Sequence, residues 1–180
     1  MRQELPNIEA ILLGIVNEKP SYAYEINKTI DSREMRYWVK IGVASIYQAL
    51  KKLEDKKLVF SQREKEGRMP ERKRYYITTE GKAALADASK RLLSGFEWHY
   101  LDLNVGLETS DLLTDAEIAG CLKERLAMIR ANKKKLSEIL KAGNNEMFKK
   151  KAVIRSLLYF RKTEESLLNE LLAGFTVKQS

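Results

Sequence analysis

One cysteine, one histidine and three prolines in 180 residues remove several classes of protein before any motif is sought. A single thiol, Cys121, forms no intrachain disulfide, and Cys121 with His99 supplies no ligand cluster at zinc spacing. This thiol usage suits a reducing cytoplasm. With no resolving cysteine nearby, Cys121 is expected as a small buried residue rather than a redox sensor. No uninterrupted apolar stretch approaches the roughly 20 residues that span a bilayer. Residues 1–7 carry charges and Pro6 in place of an apolar run behind a basic start, so neither secretion nor membrane insertion is expected. The sequence also lacks a phosphate-binding glycine loop, an acid–base pair and a nucleophile constellation, and a lone His99 is poor evidence for catalysis. Neither an enzyme nor a bound cofactor or metal is expected. No internal repeat or low-complexity tract is present.

What is present is enough apolar residue, 44%, for a real core, and a formal charge of +8 with pI near 9.4. The charge favours a polyanionic partner such as nucleic acid, although 25 acidic residues make the surface mixed. Ile8, Ile11, Leu12 and Ile15 recur at helical spacing after Pro6 and stop near Asn17 to Pro20. Ser21 stands where an N-cap would, before a second short helix carrying Ile26 and Ile30 and ending near Asp31 or Ser32. After Gly42, Val43 to Lys56 predicts a third helix with Ile46, Leu50 and Leu53 inward. Leu58 to Phe60 and Tyr75 to Thr78 predict two strands around a charged tip, Ser61 to Arg74, with Gly67 and Pro70 near its middle.

Three short helices followed by a charged hairpin make the order expected of a winged helix-turn-helix domain. In the third helix Ser45, Gln48 and Lys52 are spaced by three and four and share the face opposite Ile46, Leu50 and Leu53. Polar residues at this spacing on an isolated helix usually form a solvated face. In this helix order they suit a major groove: Ser45 for phosphate or a base edge, Gln48 for the paired donor and acceptor of adenine, Lys52 for phosphate or guanine. The hairpin sets Arg63, Lys65, Arg68, Arg72, Lys73 and Arg74 against Glu64, Glu66 and Glu71, a net positive wing suited to phosphate or minor-groove contact, or to keeping a sheet edge soluble. The full candidate DNA-binding set is Tyr22, Lys40, Ser45, Tyr47, Gln48, Lys51, Lys52, Arg63, Arg68, Arg72 and Lys73.

The segments Ile11-Leu12-Leu13-Gly14-Ile15, Ser21-Tyr22-Ala23-Tyr24-Glu25-Ile26, Ala44-Ser45-Ile46-Tyr47-Gln48-Ala49-Leu50-Lys51-Lys52-Leu53-Glu54, Lys57-Leu58-Val59, Arg74-Tyr75-Tyr76-Ile77-Thr78 and Glu80-Gly81 together resemble the PadR family of transcriptional regulators. The likeness covers roughly residues 8 to 85. It implies a homodimer that meets a pseudo-palindromic DNA operator, usually to repress transcription. Tyr47 looks like the family's recognition-helix tyrosine; Gln48 stands where a proline usually follows it.

Beyond Gly81 a linking helix is expected from about Lys82 through Leu93 towards Tyr100, then a connection over Gly106 to Thr114. Thr114 or Asp115 caps a long helix bearing Leu122, Leu126, Ile129, Leu136 and Leu140, its apolar stripe interrupted at Lys133. After Gly143, Asn144 and Asn145 a last helix carries Val153, Ile154, Leu157, Leu158, Leu167, Leu168, Leu171 and Leu172. Both stripes suit association with a second copy, with packing inside one chain as the competing role. The region resembles the larger PadR subfamily, whose C-terminal helices form the dimer. Phe96, Trp98 and Tyr100 are expected to pack in a core. Through the resemblance they are also the candidate contacts of a small aromatic effector, Trp98 foremost. Trp38 is expected in the core or as a brace beneath the recognition helix.

The expected fold is mainly α with a small β-hairpin wing, a winged helix-turn-helix domain over residues 1–81 and a helical dimerisation and effector region over 82–180. The expected function is a cytoplasmic, sequence-specific DNA-binding regulator, through the resemblance a repressor; the alternative is a winged-helix module whose basic surface serves an acidic protein.

Overall fold

The computed structural model describes residues 4–65, 71–142 and 148–177. Arg68, Gly67 and Pro70 of the hairpin tip, and the expected break at Gly143 to Asn145, lie outside them. The chain divides into two compact units, Met1–Glu97 and Trp98–Ser180.

In the first unit α1 (Asn7–Glu18) buries Leu12, Leu13, Ile15 and Val16, and stops where Lys19 turns extended ahead of Pro20, as a residue preceding proline must. Glu9 on the same helix is buried, and its charge is met by Lys56 Nζ at 2.8 Å. Helix α2 (Ala23–Ser32) is capped at Tyr22, one residue later than the expected cap at Ser21. Ser21 and Tyr22 instead form a short strand, β1, and the Tyr22 backbone N–H donates to the Glu25 carboxylate at 3.0 Å. Strand pairing with a distant segment, invisible to local pattern, takes precedence over the cap.

Helix α3 (Val43–Asp55) buries Ile46, Ala49, Leu50 and Leu53. It ends through Lys57 at φ 57°, with the Leu58 N–H donating to Leu53 O at 2.9 Å, a left-handed exit that turns the chain into the sheet. Strands β2 (Val59–Glu64) and β3 (Arg72–Ile77) pair antiparallel, and β1 adds to the other edge of β3, giving the order β1-β3-β2. Pairing reaches Glu64 opposite Arg72. Much of the charged segment expected as a solvated tip is therefore strand, because alternation puts its charges on faces that strand pairing tolerates.

Thr78 caps α4 (Thr79–Ser94), accepting from the Gly81 N–H at 2.9 Å while its hydroxyl donates to Lys57 O, also at 2.9 Å. Gly81 permits this closure: a Cβ there would lie 2.0 Å from the Leu58 carbonyl oxygen. Helix α4 packs on α1, with Ala88 in the same core and Leu85 against it. For that reason the compact division falls after Glu97, whereas the division at 81/82 followed the end of the hairpin. Helix α4 also stops at Ser94 rather than continuing towards Tyr100. Phe96, Trp98 and Tyr100 are 75–89% exposed, so the expectation of core packing is not met within this chain. Trp38 is likewise half exposed and lines a shallow recess with Ile11, Leu85 and Leu92, on α1 and α4 rather than beneath α3.

In the second unit the expected connection over 106–114 is partly helical: α5 (Asp102–Glu108) buries Leu103. Thr114 caps α6 (Asp115–Ala142) reciprocally with Glu117. Helix α7 (Phe148–Val177) packs along α6, and Leu168 is fully buried among Leu103, Ile118, Leu122, Leu126 and Ile129. The two stripes are thus met largely by each other. Lys133, the break in the α6 stripe, pairs with Glu165, which also accepts from Arg130 at 2.9 Å; Glu164 accepts from Arg125 and Arg161. The pairs that cross between the helices, Lys133 and Arg130 with Glu165 and Arg125 with Glu164, set the register of the two helices, since a slipped register would leave half-buried charges unmatched. Cys121, expected to be buried, is exposed on α6.

Gly81→Ala is expected to destabilise the first unit by about 3 kcal/mol or more, because the methyl group meets backbone rather than a movable side chain. Chemical denaturation monitored by Trp38 emission measures this; an unchanged midpoint contradicts the close approach at Leu58.

Candidate nucleic-acid interface

The face of α3 away from the buried seam carries the expected polar residues. Tyr47, Gln48, Lys51 and Lys52 are exposed and Ser45 is half-buried. Lys40, just before the helix, is exposed as well. Among the described residues Lys40, Lys51 and Lys52 have no ion-pair partner, so their charge is available to an external anion. Rotation of the helix is imposed by Ile46, Leu50 and Leu53, each fully buried, so the polar face points outward as a mechanical consequence.

The hairpin cations differ in setting. Arg63 is exposed and lies 3.4 Å from Glu71. The Arg72 guanidinium lies over the Tyr24 ring, 5.2 Å from its centroid. Lys73 Nζ is 3.2 Å from Glu54 Oε2, on α3 itself. Together Tyr22, Tyr24, Tyr47, Tyr75, Arg72 and Lys73 line an open recess of about 710 Å³. Tyr22, expected among the DNA contacts, is buried: its ring stacks on Tyr24 at 5.7 Å and lies under the Arg74 guanidinium at 4.4 Å.

Glu64, which sequence reasoning treated only as a charge offsetting the wing, is a hub. Its carboxylate accepts from the Tyr76 hydroxyl at 2.7 Å and the Tyr22 hydroxyl at 3.1 Å, and Arg74 Nε lies 3.4 Å away. One side chain on β2 thereby holds groups from β1 and β3. The Tyr76 hydrogen bond foremost, with Tyr22 and Arg74, outweighs burial and lowers the Glu64 pKa from its ordinary value; the same bond raises that of Tyr76. The Ser61 hydroxyl, with Lys73, similarly lowers Glu54. Burial pushes the Tyr75 hydroxyl up. Alternation on β2 and β3 was the only available signal for the hub, since Glu64, Arg74 and Tyr76 all fall on one face of the pair.

Because Glu64 titrates lower in the folded chain than in the unfolded one, the stability it contributes is complete above the ordinary carboxylate range. It is lost as pH falls through the lowered folded pKa. Melting temperatures from about pH 7 to about pH 3 are expected to separate wild type from Glu64→Gln at neutral pH and to converge in acid. Parallel curves count against the hub.

Residues 12–87 match the Transcriptional regulator PadR-like family. No curated protein matches the sequence significantly. Bacillus subtilis PadR in complex with operator DNA is 21% identical, with a TM-score of 0.80 over 94% of this chain and 99% of that one. The same protein in complex with p-coumaric acid is 20% identical, with a TM-score of 0.80 over 94% and 98%. The protein smu.1604c from Streptococcus mutans UA159 is 26% identical, with a TM-score of 0.65 over 92% and 98%. Similarity to the B. subtilis structures is one of fold. No helix among the described residues is long and apolar enough to cross a membrane. The buried seam of α3, the paired hairpin and the Thr78–Gly81 closure all lie inside residues 12–87, the segment that matches the Transcriptional regulator PadR-like family.

Proposed function

We propose that this chain is a sequence-specific DNA-binding regulator of transcription, a cytoplasmic homodimer that represses from a pseudo-palindromic operator. The observation that carries the proposal is the outward face of α3, with Ser45, Tyr47, Gln48, Lys51 and Lys52 opposite a fully buried seam and followed by a cationic hairpin. Bacillus subtilis PadR, which shares the fold, is solved with operator DNA. In this proposal Lys40, Lys51, Lys52, Arg63, Arg68 and Arg72 neutralise phosphates, whereas Ser45, Tyr47 and Gln48 meet base edges. Tyr22 supports them, and residues 1–81 form the DNA-binding part.

A dimer sets two recognition helices about one DNA turn apart. Leu112, Met128, Tyr159 and Phe160 of the second unit remain more than half exposed, which supports self-association through residues 82–180.

Binding to a genomic DNA library at two salt concentrations tests the proposal. A palindromic site is expected to be enriched. Gln48→Ala is expected to relax one base position at a cost of about 1–3 kcal/mol, and Lys52→Ala to weaken all sequences and reduce the salt slope by about 1. Weak retention without sequence preference instead supports an interaction module for an acidic protein.

The exposed Phe96, Trp98 and Tyr100 are the proposed contacts of a small aromatic effector, supported by the p-coumaric acid complex of Bacillus subtilis PadR. In a Trp38→Phe background, where Trp98 is the remaining tryptophan, aromatic acids are expected to quench emission saturably. Emission that does not change with added ligand counts against these contacts.

A further inference from the structure

Glu54 is the acidic residue that the outward-facing helix directs at its own hairpin. One carboxylate oxygen accepts from the Ser61 hydroxyl on β2, and the other lies 3.2 Å from Lys73 Nζ on β3. Ser61 opposes Tyr75, and Arg63 opposes Lys73, so Ser61 and Lys73 lie on the same face of the hairpin. A single side chain of α3 therefore reaches both strands. Both partners are about a third to a half exposed, near enough to the surface for a phosphate to compete. On the same helix Lys51 and Lys52 meet no acid among the described residues.

We propose that Glu54 is a positioning residue for DNA recognition, tying α3 to both strands of the hairpin and holding Lys73 as a strut instead of a phosphate contact. The inference rests on α3 and the hairpin being the DNA-contacting elements. Sequence reading requires base-facing side chains and phosphate-facing cations to be offered at a fixed spacing, and a tether between the two elements supplies it. Lys73 and Glu54 cancel each other's charge, so the pair adds nothing to counterion release while it is intact.

The test compares wild type, Glu54→Gln, Ser61→Ala and Lys73→Met on the enriched site and on a scrambled duplex of equal length, across a salt series, with melting curves to confirm folding. Glu54→Gln frees Lys73, so the salt slope is expected to steepen by about 1. In all three variants the ratio of specific to non-specific affinity is expected to fall about fivefold, the order expected when contacting side chains are coupled. Lys73→Met is expected to leave the slope unchanged, which a merely destabilised hairpin does not predict together with a steeper slope in Glu54→Gln. A slope reduced by about 1 in Lys73→Met, with none gained in Glu54→Gln, overturns the proposal by making Lys73 a phosphate contact. Ser61→Ala and Lys73→Met decide the matter if Glu54→Gln does not fold. Absence of salt-dependent binding by wild type overturns the DNA-binding proposal itself and this inference with it.

Discussion

Rotation of α3 about its own axis is the constraint on which the rest depends. Ile46, Leu50 and Leu53 are fully buried, and they meet Leu12 and Leu13 of α1 and Ile26 and Ile30 of α2 in one core. Each such side chain stabilises the fold by roughly 1.5–3 kcal/mol through apolar burial, so turning the helix to hide its polar side would expose several at once. Ser45, Gln48 and Lys52 face outward because the opposite face has no alternative place. The polar face of α3 is in this sense a by-product of the core.

Carboxylates perform the next task, which apolar packing does not. A hairpin rich in arginine and lysine repels itself, and each cation facing another on the paired strands weakens the sheet. Glu64 and Glu54 answer this at two levels. Glu64 joins three strands through Tyr76 and Tyr22, while Glu54 joins the sheet to α3. The mixed charge of the hairpin, which in composition looks like a diluted basic patch, is therefore an internal framework with the remaining cations left at its surface.

The second unit follows the same logic with other residues. Helices α6 and α7 bury their stripes mainly against each other, and the lysine that interrupts one stripe meets a glutamate on the other. A polar residue at an apolar position specifies register here, as it does in coiled coils. Exposed aromatic and aliphatic side chains remain on this unit, including Trp98, Tyr100, Tyr159 and Phe160.

The helices, their inward faces and the strand-rich hairpin were legible because period 3.6 and period 2 are local properties. The family segments were legible because each meets a local demand: Gly81 leaves space for the Leu58 carbonyl, and Thr78 caps the helix that follows. Local pattern misjudged Ser21, Tyr22 and the aromatic run at Phe96 to Tyr100. Ser21 and Tyr22 pair with β3 more than fifty residues later, and an aromatic side chain has no periodicity by which to declare itself buried or exposed. By itself the sequence determined the buried seams of the main helices and the order of three helices, a hairpin and further helices, since both follow from side-chain spacing, but not β1 or α5. Only the tertiary structure decided that Tyr22 is buried against Glu64 and Arg74, that Lys73 is held by Glu54 and that Lys133 belongs to Glu165, because each depends on a distance between residues far apart in the chain.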